Sequence, residues 1–336
     1  MDSISQAALG AVVGETILGP KVGNRAMVWG AVVGTIPDLD VLFYPMMDEI
    51  ARLGWHRGIS HSLLLNCALA PVLGWVLFKL NGRRASVKEW SVLSLACLLS
   101  AVLLDCFTVY GTQVFQPLSD YQIGFNTISI VDPLYTVPLL FAIAVALFLR
   151  RSPSARRAVI LTGLALSTIY IGMSIVIKTH VSSVVNESLA QQGLSHDRLM
   201  TTPTLFNTVL WRATAEVPGG FYVGYYSLFD TRSEIEFRFV SRNDNLLEGI
   251  RDSRAVSQLL WFSNGWYTVK ESADGSLMFS DLRFGEIHTD SERQGQYVFN
   301  WRLVADQSRT FMTQLDPEVD DAGKAMQFLW NRIRGH

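Results

Sequence analysis

Hydrophobic residues along this chain come in two rhythms, long unbroken runs up to about residue 180 and short alternating runs after it. Residues 4–18 are small and apolar, interrupted by Gln6 and Glu15. That run is short for a membrane span, which takes about 20 residues, and suits a tilted, re-entrant or half-buried helix. After a turn at 19–25 carrying Lys21 and Arg25, residues 26–36 resume the pattern until Pro37 interrupts it. A polar loop with Asp48, Glu49 and Arg52 follows. Four clearer runs then occupy 62–80, 90–110, 128–149 and 158–177, the last closed by Lys178-Thr179-His180. Each predicts a transmembrane helix, because an isolated strand could not satisfy its backbone in lipid.

The second rhythm predicts a different architecture. Residues 181–199 read as a juxtamembrane helix broken by Gly193. Runs at 208–217 and 221–229 flank Pro218-Gly219-Gly220, and runs at 267–270 and 277–283 flank Ala273-Asp274-Gly275, so both pairs predict hairpins. Residues 234–240 alternate as a half-buried strand does. Further strands are expected at 297–304 and 310–315, with helices at 253–262 and 318–334. The expected fold is an α-helical polytopic membrane protein of about five to six transmembrane helices, followed by a small α+β extramembrane domain. The domain division expected is 1–180 and 181–336.

Charge adds an orientation. Charged residues make up 17% of the chain and the net charge is −2, which offers nucleic acid no basic surface. Arg83, Arg84 and Lys88 fill one short loop and Arg150, Arg151, Arg156 and Arg157 another. The positive-inside rule puts both loops in the cytoplasm. If the two N-terminal runs also cross, both termini lie outside, and Gln6, Asp38, Asp40, His56, His61, Asp105 and Asp132 all fall at outer ends. The C-terminal domain is then extracytoplasmic. Cys67, Cys97 and Cys106 sit in apolar runs without CxxC spacing and read as small buried hydrophobes. The N-terminus lacks the pattern of a cleaved signal peptide.

Candidate chemistry concentrates in Pro37-Asp38-Leu39-Asp40 and in the stretch from Trp55 to Ser62. In extended backbone after Pro37, side chains two apart face the same way, so Asp38 and Asp40 can share a cavity. Their alternative is a turn that caps the next helix. His56 and His61 stand about 140° apart on a continuous helix. The intervening Gly58 suggests instead that His56 lies in a loop and His61 opens a helix with Ser60 as N-cap. Mixed Asp and His donors suit zinc, manganese or iron more than magnesium. Arg57 can clamp an anion or meet lipid headgroups. Asp105, inside an apolar run, needs a partner: a metal, Arg57 or a histidine. Asp132-Pro133 reads as a helix N-cap and first turn, with a secondary role in the site. Glu15 can handle protons or sit protonated within the bundle. HExxH, GxSxG, P-loop and GxGxxG patterns do not occur, which removes the corresponding protease, hydrolase and nucleotide readings.

The motifs SQAALG at 5–10, GTIPDLD at 34–40, HRGISHSLL at 56–64 and LLDCFTVYGTQ at 103–113 resemble the bacterial inner-membrane metal-dependent hydrolases of the YdjM-like, LexA-regulated type. VDPLYT at 131–136 and PTLFNTVLW at 203–211 resemble the longer members with a C-terminal soluble domain. The resemblance implies a divalent metal, hydrolysis and a multi-pass inner-membrane location. A more distant similarity, to zinc-dependent phospholipase C enzymes, would match Asp38 or Asp40, His56 or His61, and Asp105 to that family's ligands. Here the chain departs from the pattern: Ala101 stands one turn before Asp105, and Gln6 near the N-terminus, where relatives carry histidines.

The expected site therefore has Asp38, Asp40, His56, His61 and Asp105 as metal ligands, with Asp40, Arg57 and Asp132 in catalytic roles. The expected ion is zinc, with manganese or iron as alternatives. The expected partners are membrane lipids and a lipid-linked substrate. The competing readings are a non-catalytic scaffold or stress-response protein held together by its polar cluster, and a metal or proton carrier.

Overall fold

The computed structural model describes residues 1–149, 151–231, 234–286, 296–306, 309–316 and 322–335. Arg150 of the expected basic loop and residues 318–321 of the expected closing helix lie outside the described residues. In chain order the helices are α1 (Ser3–Val22), α2 (Asn24–Thr35), α3 (Glu49–Trp55), α4 (Leu63–Asn81), α5 (Val87–Cys106), α6 (Pro133–Phe148), α7 (Pro153–Gln191), α8 (Arg254–Phe262) and α9 (Ala322–Ile333). The strands are β1 (Arg198–Pro203), β2 (Leu210–Val217), β3 (Gly220–Ser227), β4 (Arg238–Ser241), β5 (Tyr267–Glu271), β6 (Leu277–Glu286), β7 (Tyr297–Asp306) and β8 (Arg309–Leu315). Two compact units result: Met1–Pro45, Trp55–Ile175 and Leu205–Asn207 form one, and Met46–Gly54, Val176–Thr204 and Thr208–His336 the other.

Among the described residues four helical segments are long and apolar enough to cross a membrane: Asn24–Met46, Leu63–Asn81, Val87–Cys106 and Pro153–Gln191. α6 is apolar but shorter. α1 and α2 make backbone-to-backbone contact through glycines. A Cβ on Gly10 would stand 2.2 Å from Gly30 O, one on Gly14 2.4 Å from Ala26 O, and one on Gly34 3.1 Å from Gln6 O. Small residues give helices this close approach where lipid supplies no hydrophobic drive to associate. Asp2 caps α1 through Ile4 N and Ser5 N, and Ser62 caps α4 through Leu65 N. Ser86 and Glu89 close a reciprocal capping box at the start of α5. Around these helices Val12, Leu104, Ile128 and Leu139 form one buried cluster and Leu18, Val33, Trp90 and Leu98 another.

Several boundaries differ from the hydropathy pattern. Pro37 does not open an extended loop; it lies in the first turn of a 3-10 run, Ile36–Met46, that continues α2. Proline's fixed φ of about −65° is compatible with that helical backbone, although its missing N–H removes one donor where the run leaves α2. The run expected at 90–110 stops being helical at Cys106, and residues 128–132 are apolar without being helical. The Ile128 amide bonds Phe107 O instead of a helical neighbour. Lys178-Thr179-His180 does not end α7, because polarity changes the surroundings while lysine remains a good helix former. The helix stops near Gly193, which takes φ 69° while Leu194 N bonds Leu189 O at 2.9 Å.

The second unit is a small α+β extramembrane domain. Its strands form two four-stranded antiparallel sheets in simple sequence order, β1-β2-β3-β4 and β5-β6-β7-β8. The turn at Gly219, with φ 80°, joins β2 to β3, and that at Gly275, with φ 79°, joins β5 to β6. Trp211, Phe221, Phe262, Phe279 and Trp301 are fully buried. Two expectations are corrected here. Residues 198–199 belong to β1 and not to a helix, and of the strand expected at 234–240 only Arg238 onward pairs, with β3.

Candidate functional site

At one end of the helical unit five elements bring their polar residues together. The 3-10 run after α2 carries Asp38 and Asp40, and the turn after α3 carries His56 and Arg57. A short 3-10 turn, Ile59–His61, carries His61, the last turn of α5 carries Asp105, and the first turns of α1 carry Gln6. Ser62, rather than Ser60, is the N-cap of α4. The turn requires Arg57 to adopt φ 55°, an uncommon conformation for a side-chain-bearing residue. Hydrogen bonds on both sides hold it there: Arg57 N donates to Asp40 Oδ2 at 3.0 Å, and Gln113 N donates to Arg57 O at 3.0 Å.

Asp40 is saturated by donors. Its Oδ1 pairs with His56 Nδ1 at 3.0 Å, and its Oδ2 accepts from Arg57 N and from Ser60 Oγ at 3.0 Å each. Ser60, having given its proton to Asp40, accepts at 3.0 Å from His61 Nδ1. That assignment follows from the network and puts the His61 proton on Nδ1. His61 Nε2 then lies 3.0 Å from Asp105 Oδ2 and 3.3 Å from Asp38 Oδ1. Three acceptors converging on one point require a cation among them, either a proton or a metal ion. Burial alone would push the His61 pKa down; hydrogen bonds to Asp105 and Asp38 outweigh it and raise the pKa above the ordinary imidazole value.

The donor atoms of Asp38, His61 and Asp105 lie within 4.8 Å of one another, so this buried group can hold a metal ion. Its surroundings fit that role. Asp38 Oδ1 is buried, at 3.3 Å from His61 Nε2. The other nitrogen of His61 is committed to an outer hydrogen bond, the usual arrangement for a ligating imidazole. On the far oxygen of Asp105, Arg57 Nη2 pairs at 2.8 Å and the Met1 amino group also donates. Arg57 further donates to Thr108 Oγ1 at 2.8 Å and lies 4.9 Å from the Tyr110 ring centre.

Of the residues singled out in the sequence, Asp38, His61 and Asp105 meet directly, and Gln6 joins them by donating to Asp105 Oδ2 at 2.8 Å. Asp40 and His56 stand one layer out. The extended-backbone argument for Asp38 and Asp40 fails, because residues two apart on a 3-10 helix point about 120° apart rather than the same way. Arg57 is spent on Asp105 and not held ready for an anion. Asp132 caps α6 through Leu134 N and accepts from the Tyr170 hydroxyl at 2.8 and 2.9 Å, and it is not part of the Asp38–His61–Asp105 group. Glu15 is neither isolated nor exposed, being gripped by Arg156. Ala101 is buried in the helix packing. The bridging part played by Ser60 and the support from Thr108 were not foreseen. For Thr108 the three-residue spacing from Asp105 was the available signal, since its hydroxyl also bonds Asp105 O at 2.8 Å.

A bundle of apolar helices with a buried aspartate–histidine group at one end is the fold of an integral membrane protein with a polar site. Residues 1–181 match the family model of the YdjM inner membrane protein, and the chain belongs to that family. It is also similar to the uncharacterized protein YfhP of Bacillus subtilis (strain 168), with 25% identity over 238 residues covering 67% of this chain and 68% of that one. No solved structure matches. The family is one of inner membrane proteins, in keeping with the apolar helices.

Proposed function

We propose that the protein is a membrane-bound metal-dependent hydrolase working at the outer membrane–water boundary of the inner membrane. The observation that carries this reading is the convergence of His61 Nε2 with two carboxylate oxygens, at 3.0 Å and 3.3 Å. Asp38, His61 and Asp105 hold the divalent ion, for which zinc, manganese and iron are the candidates. A divalent ion there supplies Lewis acidity towards a water and a phosphoryl or acyl oxygen. Asp40 orients the His56 ring through Nδ1, leaving Nε2 to take a proton from the attacking water and return it to the leaving group. His56 suits that task because its side chain is 19% exposed while those of His61 and Asp105 are fully buried. Arg57 keeps Asp105 ionised and in place. A site at bilayer level favours a lipid or lipid-linked ester as substrate, and the positive-inside argument puts the C-terminal domain on the same outer side.

The test is metal analysis of detergent-purified protein beside its His61→Ala variant. One equivalent of metal in the wild type, lost in the variant, is the expected result. Metal-free wild type beside a variant that is merely less stable overturns the reading. His56→Ala should then keep its metal and lose release of phosphate or fatty acid from lipid esters. The Arg57–Asp105 pair favours a second reading, in which the cluster only pins the helices and the protein is a non-catalytic scaffold. Loss of fold without any metal in either protein would support that alternative.

A further inference from the structure

Gln6 is fully buried and its amide is oriented by chemistry: an ionised carboxylate only accepts, so the nitrogen must face Asp105 Oδ2 at 2.8 Å. The other end of the amide, Oε1, is buried and has no hydrogen-bond partner among the described residues. Leaving such a carbonyl unsatisfied is unfavourable, because burial strips its water and returns nothing. The two ends of an amide are about 2.2 Å apart, which keeps Oε1 within about 5 Å of Asp105 Oδ2, the reach over which the three ligand atoms are spread. Asp38 Oδ1, 3.3 Å from His61 Nε2 and belonging to the same ligand group, is a second under-satisfied acceptor. Two such oxygens beside an imidazole nitrogen are complementary to a cation.

We infer that Gln6 is a fourth ligand of the ion held by Asp38, His61 and Asp105, binding through its side-chain carbonyl oxygen. The inference rests on the metal reading above and changes its character. The donor set becomes three oxygens and one nitrogen, which moves preference away from zinc and towards an oxygen-seeking ion such as Mn²⁺. A glutamine that looked like a missing ligand becomes a substituted one. It leaves the site less negative than a carboxylate would and harder than an imidazole would.

The experiment titrates Mn²⁺ and Zn²⁺ separately into the detergent-purified full chain and into Gln6→Met and Gln6→His. Bound Mn²⁺ is followed by electron paramagnetic resonance. The wild type is expected to bind one Mn²⁺ with nitrogen coupling from one imidazole. Gln6→Met, of similar length but without the oxygen, should bind it at least about tenfold more weakly. Gln6→His should show coupling from two imidazoles and a Zn²⁺ to Mn²⁺ affinity ratio raised by about tenfold or more. Wild-type affinity in Gln6→Met, or a single imidazole coupling in a folded Gln6→His, overturns the inference while leaving the three-residue site standing. A wild type that binds neither ion removes the metal reading itself. The Gln6→His spectrum keeps the test decisive if Gln6→Met fails to fold, because it reports ligation directly rather than stability.

Discussion

Glu15 and Asp105 are both buried carboxylates of the helical unit, and their surroundings differ in how completely their hydrogen bonds are matched. Glu15 receives Arg156 Nε at 2.6 Å and Nη2 at 2.8 Å, while the remaining arm of that guanidinium donates to Asn24 Oδ1 at 2.7 Å and Ala146 O at 3.3 Å. Donors and acceptors balance there, and the pair reads as a bolt between α1 and α7. Around Asp105 the matching is incomplete: Arg57 Nη2 and the Met1 amine donate to one oxygen, yet Gln6 Oε1 and Arg57 Nε are buried without hydrogen-bond partners among the described residues, and Asp38 Oδ1 stands 3.3 Å from His61 Nε2. Those unmatched atoms separate a candidate binding site from a structural pair.

The largest effect expected from this contrast is at the bolt. Arg156→Ala leaves Glu15 buried without its cation and should cost about 3–5 kcal/mol, read as a lowered melting temperature in detergent with metal content unchanged. Loss of metal in the folded fraction of that variant would break the comparison. Next, a divalent ion at about a hundred times its Kd should stabilise the wild type by about 2.7 kcal/mol. Asp38→Asn should abolish that increment while melting no lower than the wild type in chelator, since it removes one of the crowded acceptors. If it instead melts as low as Arg156→Ala, Asp38 is structural. Ser60→Ala frees His61 to change tautomer and should weaken metal binding by about 10–100-fold, measurable in the same titration.

The smallest effect belongs to the extramembrane domain, where Glu216 has two arginines. Burial alone would raise its pKa; hydrogen bonds from Arg198 and Arg242 outweigh that and hold it below the ordinary carboxylate value. A depressed carboxyl contributes stability above its unfolded pKa of about 4.3, and the contribution is lost as pH falls through the folded value. With Glu216 partly exposed, the loss should stay below about 1 kcal/mol. Comparing acid melts of the wild type and Glu216→Gln checks this, the variant being the flatter of the two below pH 5.

Much of this could be read from residues alone, for reasons that are themselves physical. Asp105 announced itself because a charge inside an apolar run has no cheap resting place. Asp38, His61 and Gln6 were gathered to one end by the arithmetic of spans and basic loops. The division of labour among Asp38, Asp40, His56 and His61 was not legible. It depends on a 3-10 continuation through Pro37 and on the left-handed backbone of Arg57, neither of which hydropathy reports. Arg156 was counted among loop arginines; its partner lies 141 residues away, and no local pattern could pair them. The hairpins at Gly219 and Gly275 were legible because their turn residues are local, whereas the end of α7 was obscured by three polar residues that alter hydropathy without ending a helix.

The glycine contacts between α1 and α2 have a meaning beyond tight packing. Gly34 rests against Gln6 O, four residues before Asp38, so the same backbone seam that joins the helices sets where Gln6 stands relative to the aspartates. A slip of one helical turn, about 5.4 Å, would carry the amide away from Asp105. The seam is therefore a gauge for the polar site, and a change in glycine spacing would shift Gln6 relative to Asp38 and Asp105.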